Sequence, residues 1–245
     1  MAVQVLVISG DGINCEEETA FAFNYFGANV LKCTLGDLIK NKNLLRESQI
    51  LVLPGGFSYG DEINSGQVMA LKWRRYLREE LLRFYEDNKL ILGICNGFQI
   101  LAHLGVLPDF NFNQVVSLGI NEGGEFIDRW ESLILQKNSP CIWTKGLPEN
   151  FDLPVRHGQG RLVVLRENVL PDHQIVLTYQ NNVNGSWKNV AGICDPKGLV
   201  LGLMPHPESY FFKNFHPAFY DHTKGIQVSP IAQFFKNGVD YFQKS

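Results

Sequence analysis

A cysteine flanked by glycines, in Gly93-Ile94-Cys95-Asn96-Gly97-Phe98-Gln99, is the first residue of this chain whose setting could do covalent chemistry. Gly-x-Cys-x-Gly lies here between a predicted strand, Leu90 to Ile94, and a predicted helix, Asn96 to Leu104. It is the thiol counterpart of the G-x-S-x-G nucleophile elbow. A sharp strand-to-helix turn strains its central residue, and the two glycines remove side chains that would collide there. The thiol then projects from the sheet's carboxyl edge above a helix N-terminus, whose dipole favours thiolate. The competing reading is a small buried hydrophobe between packing glycines. The strand before Cys95 and the helix after it favour the nucleophile.

A thiolate that attacks an amide needs a general base, and the base needs a third group to hold its tautomer. Gly202-Leu203-Met204-Pro205-His206-Pro207-Glu208 offers both. His206 and Glu208 stand two residues apart just past a predicted strand, so both can point to one side. Pro205 and Pro207 restrict the backbone around them. Of the other histidines, His103 in the elbow helix, His173 in a turn, and His216 and His222 in an aromatic-rich loop read as structural. His157, in the glycine-containing run Pro154 to Arg161, is open between lining a pocket and orienting a loop.

The attacked carbonyl oxygen turns negative and needs donors. Pro54-Gly55-Gly56-Phe57-Ser58-Tyr59-Gly60-Asp61 follows a predicted strand, Ile50 to Leu53, and in a parallel sheet it reaches the same edge as the elbow. Free amides of this loop, with the N–H of Asn96, could bind that oxygen. A phosphate loop fits poorly, since the run is neither G-x-G-x-x-G nor G-x-x-x-x-G-K-[ST].

These segments require a frame that brings them to one edge. Val3 to Ile8, Val30 to Thr34, Ile50 to Leu53 and Leu90 to Ile94 read as buried strands alternating with helices at Glu16 to Phe26, Gln67 to Asp87 and Asn96 to Leu104. That alternation predicts βαβ units. Beyond residue 110, strands at Val155, Arg161 to Leu165, Ile175 to Tyr179, Asn189 to Cys194 and Leu199 to Met204 read as more antiparallel, and Pro230 to Phe242 as a closing amphipathic helix. No linker or repeat divides the chain, so residues 1–245 read as one domain.

At 245 residues and net charge −3, with no long basic run, the chain can bury a substantial core and offers nothing to nucleic acid or an anionic membrane. No apolar run approaches the ~20 residues of a membrane span, and the start lacks a signal peptide's basic region. The five cysteines form no C-x-x-C pair. Reduced thiols in a cytoplasmic enzyme are the expectation, with no metal site, since no ligand cluster is visible along the chain.

Taken together, these segments resemble the class I (triad) glutamine amidotransferases. The loop Pro54 to Asp61, the elbow Gly93 to Gln99, Asn184-Gly185-Ser186, Ala191-Gly192 and Met204 to Glu208 carry a closer resemblance to one branch. Its members serve the fourth step of purine biosynthesis, converting formylglycinamide ribonucleotide to formylglycinamidine ribonucleotide. Asn96 is the most telling residue, because other branches usually carry a larger hydrophobic or aromatic residue there. The resemblance spans nearly the whole chain. It implies an α/β, flavodoxin-like fold with a mostly parallel central sheet flanked by helices and an additional antiparallel portion. It implies a glutaminase in which Cys95 forms a γ-glutamyl thioester, His206 shuttles protons and Glu208 orients it. Gly55, Gly56, Phe57 and Asn96 would line the oxyanion and glutamine pocket, and Gln99 would help hold the substrate.

The resemblance also implies that ammonia passes to a separate large synthetase subunit that binds ATP and magnesium, with a small accessory subunit in the same complex and no cofactor in this chain. Departures from the branch lie at Asn64 (usually Arg), at Gln159 (usually Glu) and in a longer aromatic segment, Phe211 to Ile226. Rival readings are an amidotransferase subunit of another pathway, a non-catalytic scaffold of the same fold, and a hydrolase of other substrates on the same elbow.

Overall fold

The apolar runs of the first hundred residues become the parallel part of a nine-stranded sheet. The computed structural model describes residues 2–219 and 225–243. Its N-terminal half runs β1 (Gln4–Ser9), α1 (Glu16–Tyr25), β2 (Asn29–Thr34), α2 (Leu35–Lys40), α3 (Asn43–Glu47), β3 (Ile50–Leu53), α4 (Gln67–Tyr76), α5 (Arg78–Glu86), β4 (Leu90–Ile94) and α6 (Asn96–Leu104). The second half adds β5 (Val116–Gly119), β6 (Ile127–Leu135), β7 (Asn150–His157), β8 (Arg161–Val164), β9 (Ile175–Tyr179), β10 (Val190–Cys194), β11 (Val200–Leu203) and α7 (Gln233–Gln243). β3 and β4 are buried at every position. Both faces of such strands are covered by helices, so they read as unbroken apolar runs and not as alternation.

The strand order is β2-β1-β3-β4-β11-β10-β9-β6-β7. From β2 to β11 every pairing is parallel, and from β11 outward every pairing is antiparallel. β5 and β8 form a separate antiparallel pair. The fold is thus α/β, mostly parallel at its centre with an antiparallel extension. Because β11 inserts beside β4 despite more than a hundred residues between them, the carboxyl ends of β1, β3, β4 and β11 meet at one edge. The Cys95 N–H donates to the Leu203 carbonyl at 2.8 Å and ties two of those ends together.

Packing against the frame follows from the aromatic content. The Phe235 and Phe23 rings meet edge-on at 5.2 Å, and Phe234 stacks on Trp143 at 6.0 Å. Gly238 is the residue of α7 that lets Trp143 approach, since a Cβ there would lie 2.7 Å from the indole. Each such buried aromatic contributes about 1.5–3 kcal/mol, enough to hold α7 against the sheet.

Several elements differ from the sequence expectation. Gln67 to Asp87 is two helices, broken at Leu77, where φ is −130°. Trp73 and Leu77 are both fully buried across the break, and no proline or glycine marks it. β5 alternates but is only four residues long, and β6, α2 and α3 carry little apolar periodicity. In β6 only Leu133 is fully buried, so the two-residue alternation of a half-buried strand is weak. His222 lies outside the described residues. Among the described residues no helix is long and apolar enough to cross a membrane.

Candidate active site

Cys95 sits at the turn between β4 and α6 with φ 50° and ψ −104°, a conformation that costs a non-glycine residue about 1–3 kcal/mol. The turn is tight enough to dictate its glycines. A Cβ on Gly97 would lie 1.8 Å from the Leu53 carbonyl oxygen of β3, and one on Gly93 would lie 2.7 Å from the Gly97 carbonyl. The thiol is nearly buried and donates to the Arg156 carbonyl at 3.6 Å.

β11 delivers the imidazole. His206 follows it by three residues, held by its N–H on the Pro154 carbonyl at 2.9 Å. Its Nδ1–H donates to Glu208 Oε1 at 2.6 Å, which leaves Nε2 as the acceptor facing the thiols. Both side chains are buried. Burial opposes charge on His206, yet the Glu208 carboxylate and then Cys95 outweigh it and hold the imidazole well above its usual range. Nε2 makes no hydrogen bond of good geometry, so it is available to a proton in transit.

The loop after β3 is fixed by the turn after β1. The Asn14 and Cys15 N–H groups both donate to the Gly55 carbonyl at 3.2 Å, and the Phe57 N–H donates to the Gly12 carbonyl at 2.8 Å. The N–H of Gly56 belongs to the same trans peptide as the Gly55 carbonyl and therefore points the other way. It takes no part in the Ile13–Gly56 bridge, whose bonds use the neighbouring amides. Gly56, with φ 154°, admits no side chain, since a Cβ would lie 2.6 Å from the Gly12 carbonyl oxygen. A Cβ on Gly55 would lie 2.8 Å from the His206 ring. Asn96 opens α6, where the first N–H groups have no intrahelical acceptor. Gly56 and Asn96 therefore present free amides on the two sides of the elbow, while the Phe57 amide is already engaged.

These groups border a cavity of about 200 Å³ lined by Asn14, Cys15, Gly56, Phe57, Cys95, Phe126, Arg156 and His206. That is smaller than the ~300–1,000 Å³ of drug-sized pockets and suits a single amino acid. Phe57 and Phe126 stand half-exposed at its mouth with ring centroids 6.3 Å apart.

The structure turns the side chains of Asn96 and Gln99 away from the cavity, into bonds with the loops behind it. Asn96 Oδ1 accepts from the Ser58 N–H at 3.2 Å, its Nδ2 donates to Gln99 Oε1 at 2.9 Å, and Gln99 Nε2 donates to the Gln159 carbonyl at 2.5 Å. The two amides brace the loops on either side of the elbow. Gln159 itself accepts from the Ser65 N–H at 3.2 Å, next to Asn64. His157 orients a loop: Nδ1 meets Asn121 Oδ1 at 3.1 Å, and its ring lies where a Gly160 Cβ would be. Burial, and then the nearby charge of His206, pull its pKa to about 4. His103 pairs with Gln114, and His216 pairs with Asp152.

Four lining residues escaped the sequence reading. Asn14 and Cys15 come from the turn after β1, Phe126 from the residue before β6, and Arg156 from β7. The first two had a signal, a Gly-Asp-Gly turn at a strand's carboxyl end; Arg156 had only its place beside His157. Cys15 Sγ, a His206 ring nitrogen and a Glu208 oxygen lie within 4.8 Å of one another. Such donors could ligate zinc, a grouping that spacing along the chain did not reveal. Burial pushes the Cys15 thiol up, keeping it protonated, and it donates to Asn14 Oδ1 at 3.3 Å.

Comparison with known proteins identifies the family. The family described as the CobB/CobQ-like glutamine amidotransferase domain matches residues 2–242. A Methanococcus maripaludis protein named phosphoribosylformylglycinamidine synthase subunit PurQ is 38% identical, with 98% of each chain covered. The Thermotoga maritima protein of that name is 36% identical over 85% of this chain and 88% of its own. A chain in the solved structure of PurLQS from Thermotoga maritima superposes with TM-score 0.79 at 31% identity, covering 99% of this chain and all of that one. A putative GMP synthase subunit from Thermoplasma acidophilum, 17% identical with TM-score 0.61 over 100% of this chain and 99% of that one, shares the fold.

Proposed function

The chain belongs to the CobB/CobQ-like glutamine amidotransferase family, and from that premise we propose that it is the glutaminase subunit of a phosphoribosylformylglycinamidine synthase. The observation that carries the chemistry is the convergence of Cys95, His206 and Glu208 on one small cavity with two free backbone amides. End-to-end similarity to proteins named PurQ carries the pathway.

In this reading the Cys95 sulfur attacks the side-chain amide carbon of glutamine, and its proton passes to His206 Nε2. The oxygen that becomes negative is held by the Gly56 and Asn96 N–H groups, each such donor being worth about 3–4 kcal/mol in a transition state. His206, kept charged by Glu208, returns the proton to the leaving nitrogen, so ammonia departs and a γ-glutamyl thioester remains on Cys95. Water then attacks the thioester with His206 as base, and glutamate leaves as the thiol re-forms. The sum is glutamine plus water to glutamate plus ammonia, with no cofactor in this chain.

Ammonia released into water is protonated and lost as a nucleophile. The chain therefore acts docked on a large ATP- and magnesium-dependent synthetase subunit, with a small accessory subunit in the same cytoplasmic assembly. The PurLQS neighbour and the relatives named as synthase subunits support assembly with other subunits.

The test is intact-mass spectrometry after treatment with a diazo-ketone glutamine analogue, with the synthetase subunit present. One adduct is expected on Cys95, blocked by excess glutamine. Cys15, kept protonated by burial, should remain unlabelled although it lines the same cavity. No adduct, or an adduct on another cysteine, would refute the assignment.

A further inference from the structure

Besides the triad, the cavity wall carries one formal cation with donors unspent. Arg156 lies in β7 and lines the cavity with Cys95 and His206. Its main chain and side chain have separate tasks. The carbonyl accepts from the Cys95 thiol, while Nη2 donates to Ser209 Oγ at 2.5 Å. That second bond anchors the guanidinium one residue beyond Glu208. Its Nε–H is buried without a partner. Among the described residues no ion pair engages Arg156, and the nearby Glu208 is committed to His206.

An anchored guanidinium without a counter-charge, at the wall of a cavity sized for one amino acid, is suited to a carboxylate. Its planar fork offers parallel donors that match two carboxylate oxygens. Glutamine poised for attack has its neutral amide at Cys95 and a single anionic group, the α-carboxylate, at its other end. We propose that Arg156 binds the α-carboxylate of the glutamine substrate, selecting the free amino acid over glutamine whose carboxyl group is amidated or in a peptide bond. The inference rests on the glutaminase reading above and adds to it the group that recognises the substrate's charged end.

The experiment is steady-state hydrolysis by the chain assembled with its synthetase subunit. The two substrates are L-glutamine and L-glutaminamide, which keeps the side chain and α-amine but lacks the carboxylate. The wild type should prefer glutamine by about 10- to 100-fold in kcat/KM, the usual worth of a charge-assisted pair. Arg156→Gln should lose most of that preference through a similar rise in KM for glutamine, since binding common to ground and transition states is removed. Its loss in kcat/KM on glutaminamide should be several-fold smaller than its loss on glutamine, and Arg156→Lys should restore part of the preference.

A wild type that hydrolyses both substrates alike overturns the inference without any variant. An Arg156→Gln enzyme that loses equally on both substrates also overturns it, because that is the behaviour of a strut under Ser209 and Glu208. An unchanged KM for glutamine does the same. Absence of any glutamine hydrolysis by the wild-type assembly instead removes the glutaminase reading itself.

Discussion

Glu208→Gln isolates the electrostatic part of the proposed mechanism, because it keeps the side chain's size and removes only its charge. The carboxylate lies 2.6 Å from His206 Nδ1 in a fully enclosed setting. Unit charges about 4 Å apart interact by about 4 kcal/mol at an effective dielectric of ~20. Burial alone would push His206 toward neutrality, and Glu208 is the largest influence opposing it. A neutral glutamine side chain also offers both an acceptor and a donor, so it no longer dictates which imidazole nitrogen carries the proton. Losing about 4 kcal/mol in the steps where His206 is charged corresponds to about 10³-fold in kcat. KM should change little, since Glu208 is absent from the cavity wall. The assay is glutamate release by the assembled enzyme over a range of glutamine concentrations, with Glu208→Asp as the variant that retains charge and recovers part of the rate. A Glu208→Gln enzyme within tenfold of wild-type kcat, or one whose loss lies in KM, would show that Glu208 serves packing and does not sustain the charge on His206.

Two further predictions concern folding. Gly97→Ala forces a methyl group to within 1.8 Å of a main-chain oxygen of β3, and backbone cannot yield as a side-chain tip can. Overpacking of about 1–3 kcal/mol should lower Tm by roughly 4–10 °C. Gly36→Ala in α2 meets only the Thr34 hydroxyl at 3.6 Å and should raise stability by about 0.5–1 kcal/mol; thermal melts that rank the two alike would contradict the elbow geometry. His157 binds its proton more weakly in the fold, at about 4, than in the unfolded chain at ~6.5. Its neutral burial therefore stabilises fully above that ordinary value and is lost as the pH falls toward the folded one, by at most about 3 kcal/mol. Urea unfolding at pH 7 and pH 4.5 should show a larger acid loss in wild type than in His157→Gln.

What could be read from the sequence was whatever has a local cause. β3, β4, β9 and α6 fall on the expected residues because each is a compact apolar run bounded by its own turn, and Gly93 of the elbow is dictated by Gly97 and Leu101 just beyond it. The expectations went astray where the cause is distant. The helix over residues 67–87 breaks at Leu77, a change carried by no proline or glycine. β6 is stabilised on both sides by β7 and β9, so its own residues need not alternate.

The same division runs through the site. Cys95, His206 and Glu208 announce themselves because covalent chemistry requires particular residue types at short spacing, and the parallel ends of β4 and β11 then bring distant pieces together without further signal. Gln99 illustrates the limit. Its position in the elbow suggested a hand on the substrate, whereas its amide is engaged by Asn96, three residues back in the motif, and by the Gln159 carbonyl, 60 residues further along the chain. Arg156 illustrates the converse. Nothing about an arginine before His-Gly-Gln-Gly predicts chemistry, and it acquires a task only when β7 sets its guanidinium against Ser209 beside the thiol. Reactive groups are thus constrained by what they are and are visible in one dimension. Recognition groups are constrained by what they face, so the residue that decides which amide reaches Cys95 emerges only from the folded cavity.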